Sequence, residues 1–177
     1  MKQQKPKLIR GIIFVILGLL LVCFIFSNSA QSRSESIDQS RAVMNLVKPI
    51  LDPHNRVSDD VFHRYLRKAA HFTEFAVLGF SLMGLSDCLP WKGKKKQRLA
   101  MPMLVSLFVA ATDEIIQIFS PLRGPGISDV LLDLCGAAFG VACMAAFLLI
   151  ITQSRMDNMY QEFKEQTKQL ENKEENT

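Results

Sequence analysis

The sequence predicts an all-α, polytopic membrane protein: a four-helix transmembrane bundle with a helical extracellular segment between spans 1 and 2. Three observations predict it. Hydrophobic residues make up 49% of the 177-residue chain, and they fall in blocks rather than evenly mixed. Four blocks approach the roughly 20 mostly apolar residues that a hydrocarbon core of ~30 Å asks of a helix. The densest basic run, Lys92, Lys94, Lys95, Lys96 and Arg98, lies between two of these blocks, where it reads as a topology signal.

Span 1 runs from Leu8 to Phe26 with no charge after Arg10. Basic residues precede it and Ser27-Asn28-Ser29-Ala30 follows, so a cleaved secretory signal is the competing reading. The apolar run from Gly11 is a little long for a signal, and more apolar blocks come after it, which favours a retained helix. Val22 before Cys23 excludes a lipobox. Span 2 covers Ala69 to Leu85, span 3 Leu99 to Phe119, and span 4 Val130 to Ile151. Each carries charge near one end and so scores below span 1 in hydropathy.

Lys and Arg crowd both the amino end and the 87–98 loop, two spans apart, and this places both in the cytoplasm. The 27–66 segment and the 120–129 loop then lie outside, and the carboxyl tail returns inside. The expected location is a membrane, with both termini cytoplasmic. Four units follow: residues 1–26, the basic end and span 1; 27–66, an extracellular linker; 67–151, the core of spans 2–4; and 152–177, a charged tail.

The linker is not featureless. Val43, Leu46, Val47, Ile50 and Leu51 share one helical face, with Pro49 implying a short or kinked helix. After the turn at Asp52-Pro53-His54-Asn55, Ser58 is placed to cap a second helix whose apolar side holds Val61, Phe62, Tyr65 and Leu66. Such helices lie on the membrane surface, pack over the bundle, or form a small extracellular cap packed on itself. In the tail, Met156, Met159, Phe163 and Leu170 recur at helical spacing, so span 4 can continue as a helix, with the last several residues disordered.

Composition excludes some functions. The net charge of +4 is concentrated in topology positions, with no aromatic platform, so no nucleic-acid partner is expected. Cys23, Cys88, Cys135 and Cys143 have no metal-ligand spacing and none falls in an outer segment. They read as small apolar fillers rather than a disulfide framework.

Ionisable residues inside the apolar blocks are more informative, because charge in hydrocarbon is costly and usually marks a site. His71 and Glu74 share a face at the start of span 2, below Arg67 and Lys68. Snorkelling to the headgroups is the bland reading of those two cations. Span 3 ends through Asp113 and Glu114, with Gln117 one turn on. Two adjacent buried carboxylates need cations, a metal or protons; Arg67, His71 and Arg123 are the candidates. Asp129 sits where a helix cap belongs, whereas Asp133 is one turn deeper, where capping cannot explain it. All ten side chains (Arg67, Lys68, His71, Glu74, Asp113, Glu114, Gln117, Arg123, Asp129 and Asp133) map to the outer end of the bundle. Gly136 and Gly140 form a small-xxx-small pattern for close helix packing.

Three stretches carry a resemblance: Arg67-Lys-Ala-Ala-His-Phe-Thr-Glu-Phe, Asp113-Glu-Ile-Ile-Gln-Ile-Phe, and Arg123-Gly-Pro-Gly-Ile-Ser-Asp-Val-Leu-Leu-Asp133 followed by Gly136. In order, spacing and residue type they resemble the VanZ-like family of bacterial membrane proteins, over about residues 60–150. Asp133 departs from the Asn common in that family. The resemblance implies a cell-envelope role and a link to lowered teicoplanin susceptibility, without implying a mechanism.

Two functions compete. One is a binding protein that takes an amphiphile, a lipid-linked cell-wall precursor or a lipoglycopeptide, at the outer leaflet, with Arg67, Lys68 and Arg123 meeting phosphate or carboxylate. The other is an intramembrane hydrolase or transferase on a lipid-linked substrate. His71 with Glu74, Asp113, Glu114 and Asp133 offers ligands for zinc or manganese, but no metal motif is present and no cofactor is expected. A purely structural set of ion pairs ranks below both, since buried pairs stabilise little. Four helices are few for a transporter, and the cluster is not at the midplane. Membrane lipids are expected partners, and a homo-oligomer is left open.

Overall fold

The computed structural model describes residues 4–31, 33–91, 95–119 and 126–175. These form five α-helices, and no strand occurs among the described residues: α1 (Gln4–Ala30), α2 (Arg33–Leu51), α3 (Asp59–Cys88), α4 (Lys95–Ile118) and α5 (Ile127–Glu175). By length and composition three of them can cross a membrane: Lys7–Ala30, Lys96–Ile118 and Ile127–Gln169. The 69–85 stretch within α3, expected as span 2, does not reach the same hydropathy. His71, Thr73, Glu74, Gly79, Ser81 and Gly84 dilute it.

That dilution has a physical cause. α3 is the central helix, packed against α1, α2, α4 and most closely α5. Gly79, Ser81, Gly84 and Ser86 are all buried between helices rather than turned outward. The closest approach is glycine against backbone. A Cβ on Gly136 would overlap the Phe72 carbonyl oxygen, one on Gly140 the Ala76 carbonyl, and one on Gly79 the Ala137 carbonyl. Small residues on both helices therefore let two backbones meet, the usual solution where apolar surroundings give no hydrophobic drive. Phe75, Leu78 and Leu82 of α3 then pack with Ile25, Val109, Ala110 and Ala137 into one core. The outer surfaces are apolar instead: Ile12, Ile16, Leu20, Leu104, Phe108, Phe147 and Ile150 are all exposed. Apolar blocks facing outward around a tight, partly polar interior suit a lipid environment.

α4 carries Pro102 in its interior. Proline lacks the N–H that would serve the carbonyl four residues back, that of Arg98. The Ser86 hydroxyl donates to that carbonyl oxygen at 2.7 Å, from α3. At the same end, Trp91 Nε1 donates to the Ser86 carbonyl at 2.7 Å and closes the α3 terminus. Asp87 accepts from Arg10 at 2.7 Å and from Arg98 at 2.5 Å, linking α1, α3 and α4.

Several local expectations change. The helix expected from Ser58 and the 69–85 stretch are one continuous helix, because neither glycine nor proline occurs between Asp59 and Phe75. Ser58 occupies the N-cap position without a side-chain cap; its backbone carbonyl accepts from Val61 and Phe62 instead. Of the apolar side of that turn, Phe62 is buried but Tyr65 is exposed. α2 docks on α3 through Ser40–His63 and Lys48–Asp59 pairs, leaving Val43, Leu46 and Ile50 exposed. Pro49 falls in its last turn. Ser27-Asn28-Ser29-Ala30 forms the last turn of α1. Cys23, Cys135 and Cys143 are exposed on the apolar helices that carry them. α5 runs 49 residues to Glu175, with residues 152–169 exposed throughout, where disorder was expected near the end. No glycine or proline follows Gly140, and Glu, Lys, Gln and Met favour helix. The Lys92 and Lys94 positions lie outside the described residues.

Candidate functional site

The carboxyl ends of α1 and α4 and the amino-terminal halves of α3 and α5 meet at one end of the molecule. Helix period decides which side chains turn inward there. On α4, Asp113, Glu114 and Gln117 lie three and four residues apart, so one arc carries all three. They are 0%, 6% and 4% exposed. On α5, Asp133 lies one turn after Asp129 and is 1% exposed. On α3, His71 sits one turn after Arg67 and one before Phe75, on the side that packs.

The geometry centres on His71. Its Nδ1 lies 3.8 Å from Asp113 Oδ2 and 3.8 Å from Asp133 Oδ1. One ligand atom from each of these three residues falls within 4.8 Å of the other two. Bonds of ~2.1 Å at a tetrahedral ion put ligand atoms ~3.4 Å apart, so a small inward movement would let the three hold one divalent ion. Histidine with carboxylates suits zinc or manganese. Gln117 Nε2 donates to Asp113 Oδ2 at 2.9 Å and fixes that carboxylate. Both oxygens of Asp133 are buried without a hydrogen-bond partner.

The other carboxylates are held by different elements. Glu114 Oε2 accepts from the Gly126 backbone N–H at 2.8 Å. This sets the carboxylate at the start of α5, where the helix dipole favours negative charge. Glu74 Oε1 accepts from Asn28 Nδ2 of α1 at 2.9 Å. In each, the second oxygen (Glu114 Oε1, Glu74 Oε2) is buried without a partner. Desolvated acceptors of this kind are costly unless something fills them.

A small recess opens onto the cluster, lined by Arg67, Lys68, His71, Gln117, Asp129 and Asp133. Lys68 pairs with Asp129 at 2.8 Å, tying α3 to α5. The Asp129 side chain is 24% exposed and that of Lys68 43%, whereas Asp133 is almost fully buried. The recess thus has a basic, accessible rim and an acidic, buried floor. α5 begins at Ile127, so Asp129 stands in its first turn and pairs with Lys68 rather than capping.

Nine of the ten residues singled out in the sequence are brought to this end. Arg123 lies in the 120–125 stretch, outside the described residues. Sequence reasoning missed Asn28 and Ser29. Ser29 is fully buried and lies 3.5 Å from Gln117 Nε2. Ser29 lies one turn past Ile25, which packs in the core, but in the sequence Ser27-Asn28-Ser29-Ala30 also fits a cleavage site.

Residues 14–151 match the model of the VanZ/LLP1 family. No curated protein and no solved structure matches the chain.

Proposed function

Because the chain belongs to the VanZ/LLP1 family, we propose that it is a multi-pass envelope protein of a bacterial plasma membrane that binds the polar head of an amphiphile at the outer leaflet. In this reading α1, α3, α4 and α5 all cross the membrane. α3 does so through its 69–85 stretch, tolerated because its polar residues face neighbours rather than lipid. The positive-inside rule puts Lys7, Arg10 and Arg98 in the cytoplasm together with both termini, so the acidic recess opens outside. α2 turns its exposed Val43, Leu46 and Ile50 into the outer interface.

The observation that carries the proposal is the two-part recess. Arg67 at its rim offers a planar fork for a phosphate or carboxylate. The floor offers the buried acceptors of Asp133 for amine or hydroxyl donors. Lipid-linked cell-wall precursors and lipoglycopeptides of the teicoplanin type carry both kinds of group. Sequestering either would lower glycopeptide susceptibility. Thermal melting of the detergent-purified protein with a polyprenyl pyrophosphate, and separately with teicoplanin, tests this. Saturable stabilisation by one of them, weakened at least tenfold by Arg67→Gln in a protein whose unliganded melting is unchanged, is expected. No stabilisation by either removes the proposal.

One observation favours a second reading, a metal-dependent hydrolase or transferase acting on a lipid-linked envelope substrate: the convergence of His71, Asp113 and Asp133. Metal analysis of the purified protein beside Asp113→Asn, with melting followed in parallel, separates the readings. About one tightly held divalent ion, absent from a folded variant, selects the enzyme. A well-folded, metal-free wild type selects the binding protein.

A further inference from the structure

The opposite end of the molecule holds a larger cavity, of about 910 Å³, between α1, α3, α4 and α5. Among the described residues, four cations line it, Lys7, Arg10, Arg98 and Arg155, against a single carboxylate, Asp87. Its remaining wall is chiefly apolar, with Met83 and Leu148 among the side chains. We propose that this cavity is a binding site for the headgroup of an anionic phospholipid of the inner leaflet, with the acyl chains descending along the apolar wall.

Charge and arrangement both support it. Asp87 bonds Arg10 and Arg98 at once and so orients two guanidinium groups across the cavity mouth. Arg10 Nε is spent on Cys88 Sγ at 3.3 Å, which further fixes that plane. A guanidinium has five donors, so each arginine keeps several for phosphate oxygens. Lys7 and Arg155 have no ion pair among the described residues and supply uncompensated charge. One carboxylate cannot balance four cations. A zwitterionic headgroup would bring its own cation into this surplus, whereas phosphatidylglycerol brings none. Basic pockets between membrane helices on the cytoplasmic side take anionic headgroups for the same reason. The inference rests on the membrane-spanning reading proposed above, but not on the outer recess or its ligand.

Native mass spectrometry of the full chain, released from detergent after incubation with phosphatidylglycerol or phosphatidylcholine, tests it. Wild type is expected to retain one phosphatidylglycerol at activation energies that strip phosphatidylcholine. Lys7→Gln with Arg155→Gln removes the two unpaired cations and should lower that retention at least fivefold without changing lipid-free melting. Leu148→Trp fills the cavity while keeping every charge, and should also abolish retention. Equal retention of both lipids by folded wild type, or unchanged retention in both variants, overturns the proposal. Inorganic phosphate that stabilises the protein as much as phosphatidylglycerol overturns the lipid as the source of the phosphate. Arg67→Gln should leave phosphatidylglycerol retention unchanged, so failure at the outer recess is read separately. Detergent exposes both ends, so an inverted orientation would not affect this readout.

Discussion

Asn28 and Glu74 are joined by a single hydrogen bond between α1 and α3, and the other Glu74 oxygen is already buried without a partner. Asn28→Ala would leave the whole carboxylate desolvated, at a cost of about 1–3 kcal/mol. Glu74→Gln in that background should recover much of the loss, because a neutral amide is cheaper to bury. Thermal melting of the two single variants and the double variant checks this. A purely additive result would mean that the two groups do not meet. Asp52 offers a pH test outside the spans. Its carboxylate accepts backbone N–H bonds from Val57 and Arg56, which hold its pKa below the ordinary aspartate value. A depressed pKa stabilises the fold above the unfolded value, and that contribution is lost as pH falls through the folded value. The window therefore lies below about pH 4. Amide exchange at Arg56 and Val57, corrected for intrinsic rates, should accelerate there in wild type and be fast already at neutral pH in Asp52→Ala. The Asp52–Asn55 turn was legible from its residues. Asn55 takes the left-handed conformation, φ 50°, that asparagine tolerates. Asn28 was not legible, because a short polar stretch after an apolar run reads equally well as a cleavage site.

At the scale of helices, two devices hold α3 in place. The Ser86 hydroxyl serves the Arg98 carbonyl that Pro102 leaves without its usual donor. Ser86→Ala should cost about 1–3 kcal/mol, and much less in a Pro102→Ala background, where the backbone N–H returns. The cycle should therefore show a coupling of at least about 0.5 kcal/mol; its absence would disconnect the two residues. The second device is the glycine seam. Gly140→Ala places a methyl against the Ala76 carbonyl, and overpacking of this kind costs about 1–3 kcal/mol. Gly18→Ala meets nothing within 4 Å and should be neutral or slightly stabilising. Equal effects of the two substitutions would show that the α3–α5 contact is looser than described. The small-xxx-small spacing at Gly136 and Gly140 was readable in sequence. That α3 is the partner, and that Gly79 answers from its side, was not.

For the molecule as a whole, the two ends differ in sign. One gathers Glu74, Asp113, Glu114, Asp129 and Asp133. The other gathers Lys7, Arg10, Arg98 and Arg155. If this asymmetry sets orientation, impermeant thiol labelling of intact cells should modify a cysteine placed at Ser128 and spare one placed at Gln153, each in a chain whose native cysteines are replaced by alanine. The reverse pattern would invert the topology. Apolar block length, charge placement and helical period are local properties, so the sequence by itself determined that the chain is helical, membrane-suited and acidic at one end of its helices. Distances between those helices are not local. Which oxygens remain unfilled, how Asn28 and Ser29 enter the site, and why the least hydropathic of the four expected spans stands at the centre were decided only by tertiary packing. Small residues let α3 and α5 approach backbone to backbone, and that approach brings His71 within reach of Asp133.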